Sequence, residues 1–313
     1  MAAANRWFAL LLLFVLPAWM ASGCGDTQRG RAEDVPETTS APGATPTVTA
    51  SDPVVIARIQ QGDLGELSGI VASRVHPGIF WAHNDSGDTP RVFAIDANGA
   101  PRGTFRLAGA AAEDWEDIAL GPGPEPGKSY LYAGDIGDNF DQRARVVIYR
   151  IPEPDPGTAG EVAIPGAEAL ELRYPDGEGH NAEAMAVDPA NGDVYIFAKK
   201  LLGPSPVYRA KGPLEAGAPV TLEQVASVRL FGPATGADIA PDRSAIIIRT
   251  YTDAYLWPLA ENEDIAKALG GEPQRIRLQP ERQGEAIAFT ADSAAFVTSS
   301  EGAHAAINRY ALP

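Results

Sequence analysis

Three glutamates occupy the same place in a short repeated motif, each followed by a tight run of small and apolar residues: Glu116, Glu183 and Glu285. Carboxylates held close together repel one another and require a cation, a shared proton or a neighbouring base. Carboxylate oxygens are also the ligands that hard divalent ions such as Ca²⁺ prefer. We therefore expect these glutamates to hold Ca²⁺ or another divalent cation, helped by Asn181 or water. Such an ion could polarise a carbonyl or phosphoryl group.

Two other interpretations of the three glutamates stay open. Each could bind backbone N–H groups or an arginine and so tie one repeat to the next, which would be a purely architectural role. Alternatively, two of them could serve as the acid and the base of a glycosidase.

Polar residues also follow the second apolar run of several repeats. Neighbouring strands of an antiparallel sheet run in opposite directions, so the end of a second strand lies beside the start of the first. We expect four such residues to bind a small polar ligand: Asn84, Asp85, Lys199 and Arg249. The two bases could clamp a carboxylate or a phosphate, or could instead neutralise the glutamates.

No residue is uniquely marked as a nucleophile or a base, so the sequence does not decide whether the protein is an enzyme. His180 and Asp135 are the candidates for proton transfer. The segment 121–129 ends like a phosphate-binding loop, but its prolines remove N–H donors and a strand-like run follows it. The Gly-x-Ser-x-Gly motif of many serine hydrolases does not occur in the sequence.

The repeated motif itself predicts the fold. It begins at five positions separated by 48, 67, 54 and 48 residues: Ser68, Glu116, Glu183, Ala237 and Glu285. These intervals are close to the length of a four-stranded propeller blade. Apolar runs of strand length, separated by Gly, Pro, Asp and Asn, follow each motif. We predict an all-β, five-bladed β-propeller, with six blades as the alternative if the stretch 151–180 contains another blade. A β-sandwich with coincidental spacing is the third possibility.

The fifth repeat is one strand short, whereas the strand-like run 54–60 precedes the first repeat. We therefore expect the two ends of the chain to pair and close the ring, which removes an open sheet edge. One helix is predicted at 263–269, with Asn262 as its N-cap and Gly270 at its end.

Composition limits the partners of the protein. The 313 residues include 41 acidic and 25 basic ones, which gives a formal net charge of −16. This charge argues against binding nucleic acid, because phosphates would be repelled. The single cysteine excludes an internal disulfide framework and a cysteine-rich zinc site.

The N-terminal segment predicts export. An apolar run at 7–20 is too short to span a bilayer, which takes about 20 helical residues, and is typical of a signal peptide. Ala21-Ser22-Gly23-Cys24 resembles the lipobox of bacterial lipoproteins, in which the cysteine becomes the lipidated first residue. We predict a lipoprotein signal peptide at 1–23, lipidation (palmitate included) at Cys24, a disordered tether at 24–52 and the propeller at 53–313. Ordinary secretion with a free cysteine is the alternative.

Three motifs resemble those of secreted bacterial β-propeller proteins, most of which are uncharacterised. They are the segments 80–88, 114–119 and 131–139, which read FWAHNDSGD, DWEDIA and LYAGDIGDN. More distantly, the chain is similar to gluconolactonase/regucalcin-like and esterase-like phytase propellers. The likeness covers about residues 54–313, is specific for the fold and says little about function.

Together these patterns favour a monomer held at the cell membrane by lipid alone. Its acidic face would bind a small polar ligand or an envelope protein, with a divalent cation. A metal-dependent hydrolase of an ester, lactone or phosphoester is the alternative, and a glycosidase is a further one.

Overall fold

The computed structural model describes residues 47–48, 52–157 and 160–313. The predicted signal peptide, the lipidation site Cys24 and most of the predicted tether lie outside the described residues. Among the residues described, none of the helical structure is long and apolar enough to cross a bilayer.

Five antiparallel sheets follow one another along the chain, which confirms the predicted five-bladed β-propeller. Blade 1 contains Leu67–Ala72, Ile79–Asn84, Arg91–Asp96 and Pro101–Leu107. Blade 2 contains Trp115–Pro122, Ser129–Asp135, Arg145–Pro152 and Glu168–Arg173. Blade 3 contains Ala182–Val187, Val194–Ala198, Ser205–Ala210 and Glu223–Val228. Blade 4 contains Gly236–Ile239, Ala245–Arg249, Asp253–Pro258 and Gln274–Arg277.

Blade 5 contains Gly284–Phe289, Ala295–Ser300, Ala306–Ala311 and, from the N-terminal side of the domain, Val54–Arg58. The last two strands pair antiparallel, with Val54 opposite Arg309 and Arg58 opposite Ala306. The predicted closure of the ring by the two ends of the chain is therefore confirmed. The chain then passes to blade 1, where the amide of Gln60 donates to the carbonyl of Gly99 at 2.8 Å.

Three short strands add to outer edges of blades, each in parallel pairing. Glu161–Ile164 pairs with blade 1, Val220–Thr221 with blade 2 and Thr47–Val48 with blade 4. Such additions cover edges that would otherwise present unpaired N–H and C=O groups. The six-bladed alternative is wrong, because the stretch 151–180 supplies one such edge strand and the fourth strand of blade 2. Residues 47–48 were predicted as tether, whereas the structure places them in a sheet.

The first strands of the blades surround the central axis. Each contacts the first strand of the next blade, and the first strand of blade 5 contacts that of blade 1. All the residues of the first strands of blades 1, 3, 4 and 5 are buried. Ala, Gly and Ser are frequent in these strands because little space is left so close to the axis. Large apolar side chains instead fill the layers between neighbouring blades.

The helix between the outer strands of blade 4 is shorter than predicted. It spans Ile265–Leu269, and its N-cap is Asp264, whose carboxylate accepts the amide of Lys267 at 3.2 Å. Asn262 was the wrong cap. It has φ +59° in the preceding turn, a left-handed conformation that asparagine tolerates better than most residues. The predicted end at Gly270 is confirmed.

The close contact between Gly99 and the closing strand Val54–Arg58 can be tested by substitution. This glycine has φ +80°, and a Cβ there would overlap the carbonyl oxygen of Arg58 in the closing strand, whereas at Gly109, with φ +90°, a Cβ would meet nothing. Gly109→Ala should therefore cost only the left-handed backbone, about 1–2 kcal/mol. Gly99→Ala should cost a further 1–3 kcal/mol or so, because the closing strand must shift. Equal losses in urea unfolding would show that closure does not depend on this contact.

Candidate functional site

The three predicted glutamates share one backbone feature, a β-bulge. Glu116, Glu183 and Glu285 are each the second residue of a first strand, in blades 2, 3 and 5. At each of them the pairing with the second strand skips one residue. Ser68 occupies the same bulge in blade 1. A bulged residue is left without a partner in the ladder and its side chain is re-aimed, so the repeat directs the three carboxylates alike.

A second set of polar residues follows the second strands. Asp85, Lys199 and Glu301 come directly after the second strands of blades 1, 3 and 5. The amide of each donates to a carbonyl just before the first strand of the same blade, at 2.8, 2.8 and 3.0 Å respectively. The shared hydrogen bond places all three beside the bulges, as expected from strand direction.

Asp114 joins this group from just before the first strand of blade 2. Its amide donates to Asp135 Oδ1 at 3.1 Å, and its carbonyl accepts the amide of Gly137 at 3.1 Å. A Cβ at Gly137 would overlap both Asp114 Oδ2 and Glu116 Oε1. Glycine is therefore required there for the two carboxylates to lie against the backbone.

We call the resulting group the axial carboxylate cluster; its members are Asp85, Asp114, Glu116, Glu183, Glu285 and Glu301. Two sets of three within it have carboxylate oxygens lying within 4.8 Å of one another. One set is Asp85, Glu285 and Glu301, and the other is Asp85, Asp114 and Glu116. Two oxygens that contact the same Ca²⁺ at about 2.4 Å can be no further apart than this. Each set could therefore hold such an ion.

The bulged glutamates are buried without enough donors. Glu116, Glu183 and Glu285 are 4%, 6% and 7% exposed. Glu183 Oε2 and Glu285 Oε2 are buried and have no hydrogen-bond partner. A buried carboxylate oxygen without a donor or a cation is costly. The cluster therefore needs positive charge or protons, and the surrounding protein groups do not supply enough of either.

The shortage of donors and cations disfavours the ionised form and so raises the pKa values of the carboxyl groups. Burial, followed by repulsion from Glu301, raises the pKa of Glu285 to about 8. Burial and then repulsion from Glu183 raise the pKa of Glu116 well above its usual range. Burial and then Asp85 raise the pKa of Asp114 to about 6. These mutual effects show that carboxylates from blades 1, 2, 3 and 5 share one electrostatic environment.

Lys199 is the one base that forms an ion pair with a member of the cluster within residues 52–157 and 160–313. Its Nζ contacts Glu183 Oε1 and lies 5.8 Å from the centre of the Tyr251 ring. Burial raises the pKa of Glu183 to about 7 even though Lys199 lowers it. Burial alone would lower the pKa of Lys199, but its attraction to Glu183 raises it overall. Glu183 is thus the member whose charge is partly compensated, and it belongs to neither set of three.

Two aspartates, each the third residue of a first strand, bind backbone amides instead. Asp117 accepts the amides of Ile118, Met185 and Ala237, at 2.8, 2.8 and 3.1 Å, and so ties blade 2 to blades 3 and 4. Asp238 accepts the amide of Phe289 at 2.8 Å and ties blade 4 to blade 5. The architectural interpretation considered for the glutamates therefore describes these two aspartates.

Arg249 was predicted to bind ligand, but the structure gives it a different set of contacts. Its guanidinium is 0% exposed and donates to Glu281 Oε2 at 2.8 Å, to the carbonyl of Ala286 at 2.8 Å and to that of Ser299 at 3.1 Å. These partners lie in blade 5 or just before it. Arg249 therefore joins blades 4 and 5, and we do not include it in the candidate site.

Asn84 and Asn181 also have their side chains engaged in local structure. The Asn84 amide donates to the Asp63 carbonyl and to Asp88 Oδ2, both at 2.7 Å. Asn181 Oδ1 accepts the amide of Asp138 at 2.8 Å. Both side chains hold loops that border the cluster.

The two proton-transfer candidates do not line the cluster either. Asp135 accepts the amides of Glu113 and Asp114 at 3.1 Å each and forms an ion pair with Arg143 at 2.9 Å, so it positions Asp114. His180 Nε2 lies 2.8 Å from Asp176 Oδ2, and its ring packs against Tyr174. Within the described residues, neither side chain forms an ion pair with a cluster member.

Comparison with known proteins adds a structural likeness only. A scan against protein-family models matches none, and neither does a search of curated proteins. Among solved structures, the chain is similar to the Pan2 WD40 domain of Neurospora crassa. The two are 8% identical, the alignment covers 85% of this chain and 98% of that domain, and the TM-score is 0.43. The strand pairing of the chain itself establishes its five-bladed propeller fold.

The cluster makes stability depend on pH. Between about pH 5 and 8, folded Glu285 keeps a proton that its unfolded counterpart, with an ordinary pKa of 4.5, has released. The cation-free protein must therefore lose stability as pH rises through this range. The charged groups that shift the pKa of Glu285 are Glu301, Glu183, Asp85 and Lys199, and Tyr251 also interacts with it electrostatically.

Glu285→Gln removes this titration. We expect the variant to become progressively more stable than the unmodified protein between pH 5 and 9 in chelator, as measured by urea unfolding. Glu215→Gln, at an exposed position, is the matched control and should follow the unmodified protein. A constant difference between Glu285→Gln and the unmodified protein would contradict the raised pKa.

The role of Arg249 is tested separately. Arg249→Met leaves the buried carboxylate of Glu281 with the donors Thr298 and Asn308 but without its cation, so unfolding should become easier by about 3–5 kcal/mol. Arg145→Met breaks an exposed ion pair with Glu171 and should cost less than about 1 kcal/mol. If both substitutions had the same small effect on chemical denaturation, Arg249 would be free to serve a ligand instead.

Proposed function

We propose that this propeller binds Ca²⁺ at the axial carboxylate cluster and uses the ion to bind a small polar ligand or an envelope protein at the same face. The oxygen atoms that bind the ion come from Asp85, Asp114, Glu116, Glu285 and Glu301. An all-carboxylate donor set suits a hard cation that accepts many oxygen ligands.

The proposal rests on Oε2 of Glu285, which is buried and has no hydrogen-bond partner. This oxygen belongs to a side chain that the bulge directs into a group of like charges. A residue with a purely architectural role would be expected to meet donors, as Asp117 does three times. A divalent cation would satisfy the oxygen and remove the repulsion together.

The bordering residues support a role in binding. Asp85 and Glu301 are only half-buried, so the cluster is open on that side. Phe140, Leu201 and Leu202 are 82%, 78% and 91% exposed in loops that follow the second strands of blades 2 and 3. These apolar side chains are available to a partner that also meets the ion.

We further propose that the protein works outside the cytoplasm as a monomer tied to the cell membrane by lipid at Cys24. This location rests on the signal-peptide and lipobox pattern of residues 1–24. Calcium is abundant outside cells, where sites with dissociation constants of about 10⁻⁴–10⁻³ M are already useful.

A metal-dependent hydrolase of an ester, lactone or phosphoester is a second candidate. It is supported by Glu183, whose pKa is raised to about 7 beside the proposed ion. A group with such a pKa can exchange a proton near neutral pH. Calcium-dependent turnover of a lactone or phosphate ester that is lost in Glu183→Gln would favour this candidate. Cleavage of an aryl glycoside without calcium would instead favour a glycosidase.

Calorimetric titration with Ca²⁺ tests the binding proposal. We expect saturable binding and a rise in melting temperature, because a ligand that binds only the folded state stabilises it. Asp85→Asn should weaken binding at least 10-fold, whereas Asp155→Asn, at an exposed position, should leave it unchanged. No binding and no stabilisation at millimolar Ca²⁺ would overturn the proposal.

A further inference from the structure

The two oxygen sets in the axial carboxylate cluster have one member in common. Asp85 belongs to both, whereas Glu285 and Glu301 belong only to the first set and Asp114 and Glu116 only to the second. Asp85 follows the second strand of blade 1, and the two sets are supplied by blade 5 on one side and blade 2 on the other. Blade 1 lies between these blades in the ring, so Asp85 stands where the two sets meet.

A single ion cannot satisfy both sets in the observed arrangement. The five oxygens do not form one set within 4.8 Å. Oxygens further apart than this cannot both contact one Ca²⁺ at about 2.4 Å. An ion placed among the blade 5 carboxylates therefore leaves at least part of the blade 2 set without a cation, and the reverse also holds.

Each set contains a buried carboxylate. In the first set, Glu285 is 7% exposed and its Oε2 has no partner. In the second set, Glu116 is 4% exposed and lies against the backbone of Gly137 together with Asp114, so two carboxylates are held close together there. Carboxylates crowded in this way require positive charge or protons on both sides of Asp85.

The surplus of negative charge favours two ions over one. When all are ionised, the six carboxylates of the cluster carry six negative charges. Within the described residues, Lys199 forms the one ion pair with them, whereas Arg143 and Arg282 act on Asp114 and Glu301 from further away. One dication would offset two of the six charges and two would offset four, and like charges that stay uncompensated away from bulk water repel strongly.

We infer that the cluster is a two-cation centre in which the carboxylate of Asp85 bridges two Ca²⁺ ions, one held with Glu285 and Glu301 and the other with Asp114 and Glu116. The inference deepens the proposed function and depends on it. Asp85 is suited to the bridge because, within the part of the chain that the structure describes, the one hydrogen bond that its carboxylate accepts comes from the neighbouring amide of Ser86. The carboxylate oxygens of Asp85 are therefore available to an ion in either set.

The number of bound ions tests the inference directly. Equilibrium dialysis of the purified protein against ⁴⁵Ca²⁺ should give two ions per chain. Glu301→Gln and Asp114→Asn, which each affect one set, should each lower the number to one at Ca²⁺ concentrations that saturate the unmodified protein. Asp85→Asn should weaken both sites at least 10-fold. Asp155→Asn is the matched control and should keep two.

The outcomes separate this inference from the proposed function. One ion per chain in the unmodified protein would overturn the two-cation centre and leave calcium binding in place, whereas no ion would overturn both. Loss of only one ion in Asp85→Asn would overturn the bridge. Melting curves in chelator check that each variant folds, and removal of a carboxylate from a repelling cluster should not lower the cation-free melting temperature.

Discussion

Closure of the ring decides which side chains meet at the central axis. The five blades come from distant parts of the chain, and the pairing of Val54–Arg58 with Ala306–Ala311 completes blade 5, whose first strand contacts that of blade 1. The first strands then crowd about one axis, and the residues at their bulges are brought together. Three of the four bulged positions carry glutamate, so the fold concentrates negative charge that an open sheet would spread apart.

Hydrogen-bond donors decide what each acidic side chain near the axis does. Asp117 and Asp238 are as buried as the glutamates, and burial raises the pKa values of both. They nevertheless meet backbone amides of neighbouring blades, which makes them parts of the scaffold. Glu285 is the second residue of its first strand, one position before the place that Asp117 and Asp238 occupy in theirs. Its Oε2 has no hydrogen-bond donor. A buried acidic side chain thus serves architecture where it meets donors, and has an unsatisfied oxygen where it does not.

The fold could be predicted closely from the sequence, because a repeat motif marks each first strand and the missing strand of blade 5 has an obvious substitute at the start of the domain. The short edge strands were not foreseeable, since two to four residues in parallel pairing leave no periodic signal. Glu116, Glu183 and Glu285 were recognisable from their register in the repeat, although the bulge that re-aims them was not. Asp85 was recognised as a ligand-binding residue rather than a candidate metal ligand.

Asp114 and Glu301 were not predicted as members of the candidate site, although both had a usable signal. Asp114 lies two residues before Glu116, so the segment that carries Glu116 must bring Asp114 to the same end of the blade. Glu301 occupies the same position after its second strand as Asp85 does. The contacts of Arg249 could not be predicted, because a base at a strand end gives no sign in the sequence of whether a buried partner such as Glu281 lies nearby.

If the crowded carboxylates at the axis are a cation site, an ion should be found among them in crystals that contain it. Anomalous diffraction from crystals grown with Ca²⁺, or with a lanthanide in its place, would locate such an ion. We expect strong peaks at about 2.3–2.6 Å from carboxylate oxygens of Asp85 and its neighbours in the cluster. Well-ordered crystals at millimolar Ca²⁺ that show no peak there, with Glu285 and Glu301 instead sharing a proton, would contradict it.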